Sequence, residues 1–302
     1  MSQPRSRVLL RWFARRARTG QVGQLAPYVV RAYRGWAGAM IRFLFRPTIR
    51  GLESLPADRP YLLVSNHSGG GGVEVLALMM HWAEAHGGER RIAGMAHPVA
   101  FSTQGVGRLL RDAGAIPSTY EAATDALAQG IPVLVFPGGD FDAFRPIWQA
   151  RRVDFNRRMG FLRIARRAWV PLVPMGIRGS HYTQPILWRS RMVLPWFLLL
   201  PVLAGLKRFP LTLSGALGAI LLLALLGPTH GYVLAGLIAW VWLASPFALF
   251  LPILPWTIRT EVGAPIEPEE LFGTRDEDAP LDEAYQRVVG EIARLVDPHD
   301  RP

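Results

Sequence analysis

Between residues 61 and 177, short apolar or β-branched runs alternate with stretches of helical apolar spacing, and this rhythm predicts an α/β domain. The runs at 61–65, 91–95, 131–136 and 170–177 read as strands. The stretches at 73–86, 103–112, 120–129 and 156–169 read as the helices between and beyond them. Upstream, a helical wheel over residues 27–46 gathers Val29, Tyr33, Trp36, Met40, Ile41 and Leu44 on one face and Arg31, Arg34, Arg42 and Arg46 opposite. Such a helix lies in a lipid interface or packs on the protein's own core.

The pattern changes after Arg191. Residues 192–206 are wholly apolar but interrupted by Pro195 and Pro201, too short and too broken to cross a bilayer. From Phe209 to Ile258 the chain carries no Asp, Glu, Lys or Arg. That run is more than twice the roughly 20 residues one crossing needs. The cluster Gly227, Pro228, Thr229, His230 divides it into helices at 209–226 and 231–251, a hairpin that returns to its starting side and spans the bilayer, dips into one leaflet or docks on the domain. Lys207, Arg208 and Arg259 flank the hairpin, which puts both its ends in the cytosol. Residues 257–262 read as a last strand returning to the sheet. An acidic stretch at 267–283 then leads to a helix whose face of Leu281, Tyr285, Val288, Val289, Ile292 and Leu295 packs on the domain. Four segments result: a basic amphipathic arm at 1–50, an α/β core at 51–191, a hydrophobic membrane hairpin region at 192–256, and a returning strand, acidic linker and helix at 257–302.

Charge sharpens this picture. The formal net charge is +11, and the first 50 residues hold eleven Arg and no acidic residue, so the remaining 23 basic and 23 acidic residues balance. The arm's amphipathic layout selects an anionic membrane face over nucleic acid, for which no groove-reading element is present. No secretory h-region is visible, which keeps the catalytic part cytosolic. With no cysteine, a Cys nucleophile, thiolate metal sites and disulfides are excluded.

Two strand-to-glycine turns carry the candidate chemistry. Ser65-Asn66-His67-Ser68, followed by four glycines and Val73-Glu74, places a histidine at the rim of the sheet where ligands of open α/β folds bind. Histidine titrates near neutrality and serves as a general base, and Glu74 in the first turn of the next helix can orient its ring. Glycines here allow close backbone approach to a ligand. The second turn, Phe136-Pro137-Gly138-Gly139-Asp140, followed by Asp142 and Arg145, forms an opposite wall. No Gly-x-Ser-x-Gly elbow, Walker loop or zinc-ligand spacing occurs, and His81 and His86 around Glu84 read as helix surface.

The blocks Asn66-His67-Ser68-Gly69-Gly70, Gly114-Ala115-Ile116-Pro117-Ser118, Phe136-Pro137-Gly138-Gly139-Asp140 and Val170-Pro171-Leu172-Val173-Pro174, in this order, resemble the glycerolipid and lysophospholipid acyltransferase superfamily, in its branch similar to monoacylglycerol and diacylglycerol acyltransferases. The resemblance implies an acyltransferase-type sheet flanked by helices and transfer of a fatty acyl group from acyl-CoA or acyl carrier protein to a lipid hydroxyl, by direct attack and with no cofactor. It implies His67 as the base with Glu74 beside it, and Asn66, Ser68, Gly69, Gly70, the turn Phe136, Pro137, Gly138 and Gly139, Asp142 and Arg145 around the substrates. Two positions depart from the pattern. Gly72 stands where the broad family has Asp, with Glu74 taking the acid's place, and Gly138 stands where phosphate-glycerol members have Glu. A catalytically inactive, lipid-binding membrane relative is the alternative these departures raise.

Overall fold

The computed structural model describes residues 22–67, 69, 72–102, 104–192, 207–251, 254–276 and 278–297. In chain order the helices are α1 (Pro27–Arg34), α2 (Trp36–Phe45), α3 (Val73–His86), α4 (Gln104–Asp112), α5 (Tyr120–Ala128), α6 (Asp140–Ala143), α7 (Gly160–Ala168), α8 (Leu213–His230), α9 (Tyr232–Ala244), α10 (Pro246–Phe250), α11 (Pro268–Phe272) and α12 (Asp282–Val296). The strands are β1 (Thr48–Arg50), β2 (Leu62–Ser65), β3 (Ala93–Ala96), β4 (Ile116–Pro117), β5 (Val133–Val135), β6 (Leu172–Arg178), β7 (Ile186–Ser190), β8 (Phe209–Thr212) and β9 (Arg259–Val262).

Seven strands form one sheet in the order β1-β9-β6-β2-β5-β3-β4. All neighbours are parallel except β6 and β9, because β9 returns antiparallel after the long excursion from 179 to 258. The period-2 alternation of β2 explains the two-sided core. Leu62 and Val64 join the cluster formed with α5, α7 and α12 on one face, while Tyr61 and Leu63 join that formed with α1, α2 and α3 on the other. The central sheet flanked by helices is the α/β architecture its sequence pattern predicts.

Three expectations are corrected. The arm is not one helix over 27–46, because Gly35 adopts φ −108° and ψ −127° and splits it into α1 and α2. Its apolar face therefore divides: Val29 and Ile41 are buried in the core, whereas Trp36 is 73% and Met40 50% exposed. The hairpin turn also lies later than predicted. Residues 209–212 form β8 paired with β7, α8 runs through Pro228, and the chain reverses at Gly231, whose φ of +85° suits glycine alone. Finally, the helix expected at 156–169 starts only at Gly160, since Asn156 and Arg157 have positive φ.

Candidate active site

β2 and β5 are adjacent and in register, Val64 opposite Val135, so the turns leaving their carboxyl ends face each other. Asn66 fixes the first turn. Its side-chain amide donates to the Ile177 carbonyl and its carbonyl oxygen accepts the Ile177 N–H, both at 2.8 Å, extending the β2–β6 contact past the last strand residue. His67 is thereby held at the rim with its side chain 23% exposed. Gly69 follows at φ +109°, pressed so closely on the Gly179–His181 turn that a Cβ would lie 2.9 Å from the Ser180 carbonyl oxygen. Ser68 and Gly70 lie outside the described residues.

The imidazole is oriented from two sides. His67 Nδ1 lies 2.5 Å from Glu74 Oε1, and the Phe136 ring sits 4.8 Å away, tilted by 37°. Glu74 is fully buried, so its carboxylate accepts the Nδ1 proton and Nε2 remains as the free nitrogen. The longer Glu side chain at this position therefore reaches the ring. Burial opposes protonation of His67, but the charge and hydrogen bond of Glu74 and the charge of Asp142 outweigh it and hold the imidazole above its ordinary value. Removing the Glu74 charge leaves burial in control. In Glu74→Gln the His67 pKa should accordingly fall, which an NMR titration of the ring nitrogens reads directly.

The second turn is braced by charge. Asp142 Oδ2 accepts the His67 backbone N–H at 2.6 Å, and its Oδ1 pairs with Arg145 Nη2 at 2.7 Å, both side chains being 1% exposed. Arg145 also donates to the Asp154 carbonyl at 2.9 Å. Burial raises the Asp142 carboxyl above its ordinary value against the pull of Arg145 and His67. This pair thus ties the two turns together from beneath, and does not line the open face of the site. Gly138 completes the arrangement, for any Cβ there would run into the Asp142 side chain. An acidic side chain at this position has no room here.

A cationic group absent from the sequence reading surrounds Phe141. Asp140 pairs with Arg158 at 3.0 Å and with Arg208 at 2.9 Å, and these arginines outweigh burial to hold its carboxyl below the ordinary range. Arg208 is buried in this pair, so it is not a free flanking charge of the hairpin. Arg158 also donates to the Gly138 carbonyl at 2.7 Å, fixing the Pro137–Gly139 bend. The Arg189 guanidinium lies 4.2 Å from the Phe141 ring centre and donates to the Phe141 carbonyl. It has no carboxylate partner among the described residues, and burial together with Arg145 and Arg208 lowers its pKa. His181, buried on the adjoining turn, is driven to a pKa of about 3 by burial and by the Arg145 charge, so it is neutral.

A histidine held by a buried carboxylate at the end of one parallel strand, facing a braced glycine turn at the end of the next, can serve general-base chemistry. The sequence model of the Acyltransferase family matches residues 46–178, which span both turns. This core is thus similar to the Acyltransferase family over residues 46–178. An uncharacterized protein of Mycobacterium tuberculosis is 31% identical over 192 residues, 60% of this chain and 51% of that protein. The chain thus spans about half the length of that relative. Phytyl ester synthase 1 of Arabidopsis thaliana is 30% identical over 141 residues, 44% of this chain and 19% of the plant protein. Among solved structures, the 1-acyl-sn-glycerophosphate acyltransferase PlsC of Thermotoga maritima superposes with a TM-score of 0.52 over 91% of this chain and 81% of that one, at 16% identity. The chain therefore carries the PlsC-like fold.

Proposed function

We propose that the protein transfers a fatty acyl group from an acyl thioester, acyl-CoA or acyl carrier protein, to a hydroxyl of a glycerolipid or related membrane lipid. The observation that carries this reading is the buried Glu74 carboxylate 2.5 Å from His67 Nδ1, which leaves Nε2 facing the site as base. The lipid hydroxyl gives its proton to Nε2 as its oxygen attacks the thioester carbonyl. The tetrahedral intermediate then expels the thiolate, which takes the proton back from the imidazolium and leaves as thiol. A thioester is already activated, so the chain need only move this proton, align the two partners and stabilise the oxyanion, for which the glycine loop after His67 supplies backbone N–H groups.

The Phe136–Gly139 turn holds the acceptor against the imidazole, with Asp142 and Arg145 positioning that turn. Arg189, with no carboxylate in salt-bridge contact among the described residues, favours a phosphate-bearing substrate. Arg189→Gln should raise KM for that substrate about tenfold with little change in kcat, and comparing the donor and acceptor KM values tells which partner carries the phosphate. Both acceptor and product live in the bilayer, so the protein works on the membrane with its site on the cytoplasmic side. Among the described residues one helix, Leu213–His230, is long and apolar enough to cross a membrane by length and composition, and the basic arm supplies charge for an anionic face.

The test is release of thiol from a panel of acyl-CoA and acyl carrier protein donors by the purified protein in detergent, with and without lipid alcohols. Acceptor-dependent release supports the transfer. Binding of acyl chains without release from any donor contradicts it and supports an inactive lipid binder.

A further inference from the structure

We infer that His181, on the turn that follows β6, is a positioning residue for the reaction: its ring holds the Asp142 carbonyl, and through Asp142 the backbone of His67. This deepens the general-base reading above and rests on it.

The sequence pattern offers two turns for the site, and the fold adds a third. β6 lies beside β2, Ser65 opposite Met175, so the chain leaving β6 at Arg178 passes the rim at which β2 ends. It bends at Gly179, whose φ is +102°, into a single helical turn at Ser180–Tyr182. The main chain of that turn backs the glycine loop, since a Cβ on Gly69 would stand 2.9 Å from the Ser180 carbonyl oxygen and 3.5 Å from the His181 nitrogen. The ring of His181 serves the opposite wall, where it hydrogen-bonds the backbone carbonyl of Asp142. One residue therefore touches both of the turns between which the reaction is placed.

The protonation of the ring fixes the direction of that bond. His181 is 4% exposed, and burial with the Arg145 charge keeps it neutral, so it carries a single N–H. Its Nε2 is buried without a hydrogen-bond partner. The proton accordingly sits on Nδ1 and is donated to the Asp142 carbonyl. That carbonyl also accepts the Arg145 N–H at 3.1 Å, so both of its lone pairs are engaged. Asp142 is thus held at its backbone as well as at its carboxylate, which accepts the His67 N–H at 2.6 Å. Any tilt of Asp142 is passed straight to the residue that bears the base.

The orphan nitrogen separates this role from packing. A buried acceptor with no donor is a net penalty to the fold, and an apolar side chain of similar size avoids it. Removing the imidazole also leaves the Asp142 carbonyl its bond from Arg145, so stability loses little. What is lost is the second restraint on Asp142, and a small misplacement of a base is expensive in rate.

The experiment compares His181→Leu, which removes the donor and the orphan nitrogen together, with His181→Asn, whose side-chain amide keeps a donor near the Nδ1 position. In acceptor-dependent thiol release, His181→Leu should lower kcat about tenfold with KM for both substrates unchanged, and His181→Asn should recover most of it. His181→Leu should melt at or above the wild-type temperature. In protein carrying 15N only in its histidines, the His67 backbone amide, identified by its loss in His67→Asn, should shift in His181→Leu and return in His181→Asn. An unmoved His67 amide in His181→Leu, with kcat at the wild-type level, would overturn the inference and leave the transfer intact. A loss of melting temperature in both variants that tracks the loss of kcat would overturn it in favour of packing. The amide readout needs no turnover: the expected shifts with no thiol released by the wild type would leave the contact standing and refute the reaction.

Discussion

Replacing His67 with alanine should lower kcat by about 10²- to 10⁴-fold, the usual worth of a positioned general base, with KM for both substrates nearly unchanged. The alanine variant also leaves the buried Glu74 carboxylate without its partner, which by itself costs stability. His67→Asn separates the two effects. Its side-chain amide keeps a donor near the Nδ1 position, so the fold and its melting temperature should survive while the base is gone. Activity near wild type in His67→Asn would remove His67 from the chemistry. Equal loss in both variants, with thermal stability retained only in the asparagine form, is the expected pattern.

The second large effect is structural. Arg145→Ala should destabilise the protein by about 3–5 kcal/mol, because it leaves the Asp142 carboxylate buried at 1% exposure with no opposite charge. The double variant Asp142→Asn, Arg145→Met removes both charges and should recover most of that loss. Activity need not return with it, since the Asp142 carboxylate also receives the His67 backbone N–H. A single Arg145→Ala change that melts with the wild type while weakening substrate binding would make Arg145 a substrate ligand and not a brace. Thermal unfolding followed by circular dichroism, in parallel with KM, discriminates the two.

What the sequence disclosed is what local pattern can carry. The α3 helix matches its reading at 73–86 residue for residue, β2 and β5 lie within the runs that name them, and β6 passes the end of its run by one residue, because a central sheet demands unbroken apolar runs. The His67 and Phe136–Gly139 turns were visible for the same reason, each being a strand that ends in glycine. The edge strand Thr48–Arg50 escaped notice, since it is three residues long and pairs with β9 more than two hundred positions away. β8, with a proline at its second position, was absorbed into the hairpin. Gly35 reads as a tolerated helix residue until its dihedral angles are seen.

The site's supports were hidden more deeply. Asp142 meets His67 across 75 positions and Asp140 meets Arg208 across 68, separations at which no periodicity links the partners. Arg208 was misassigned for a physical reason. A basic residue beside a long apolar run has the signature of a membrane flank, and only the fold reveals that its charge is spent on Asp140. Glu74 shows the opposite case. Its place seven residues after His67 was legible, but whether its carboxylate meets the ring depended on the helix start at Val73, which the sequence bounds only to within a residue or two.

Direct attack of a lipid hydroxyl assisted by His67 is open to a single-turnover rapid-quench experiment with a thioester carrying a radiolabelled acyl group. No thiol burst is expected without acceptor and, once acceptor is present, label should enter lipid at the rate at which thiol appears, with none bound to protein. A burst of thiol equal to the enzyme concentration in the absence of acceptor, with label on the chain, would contradict it.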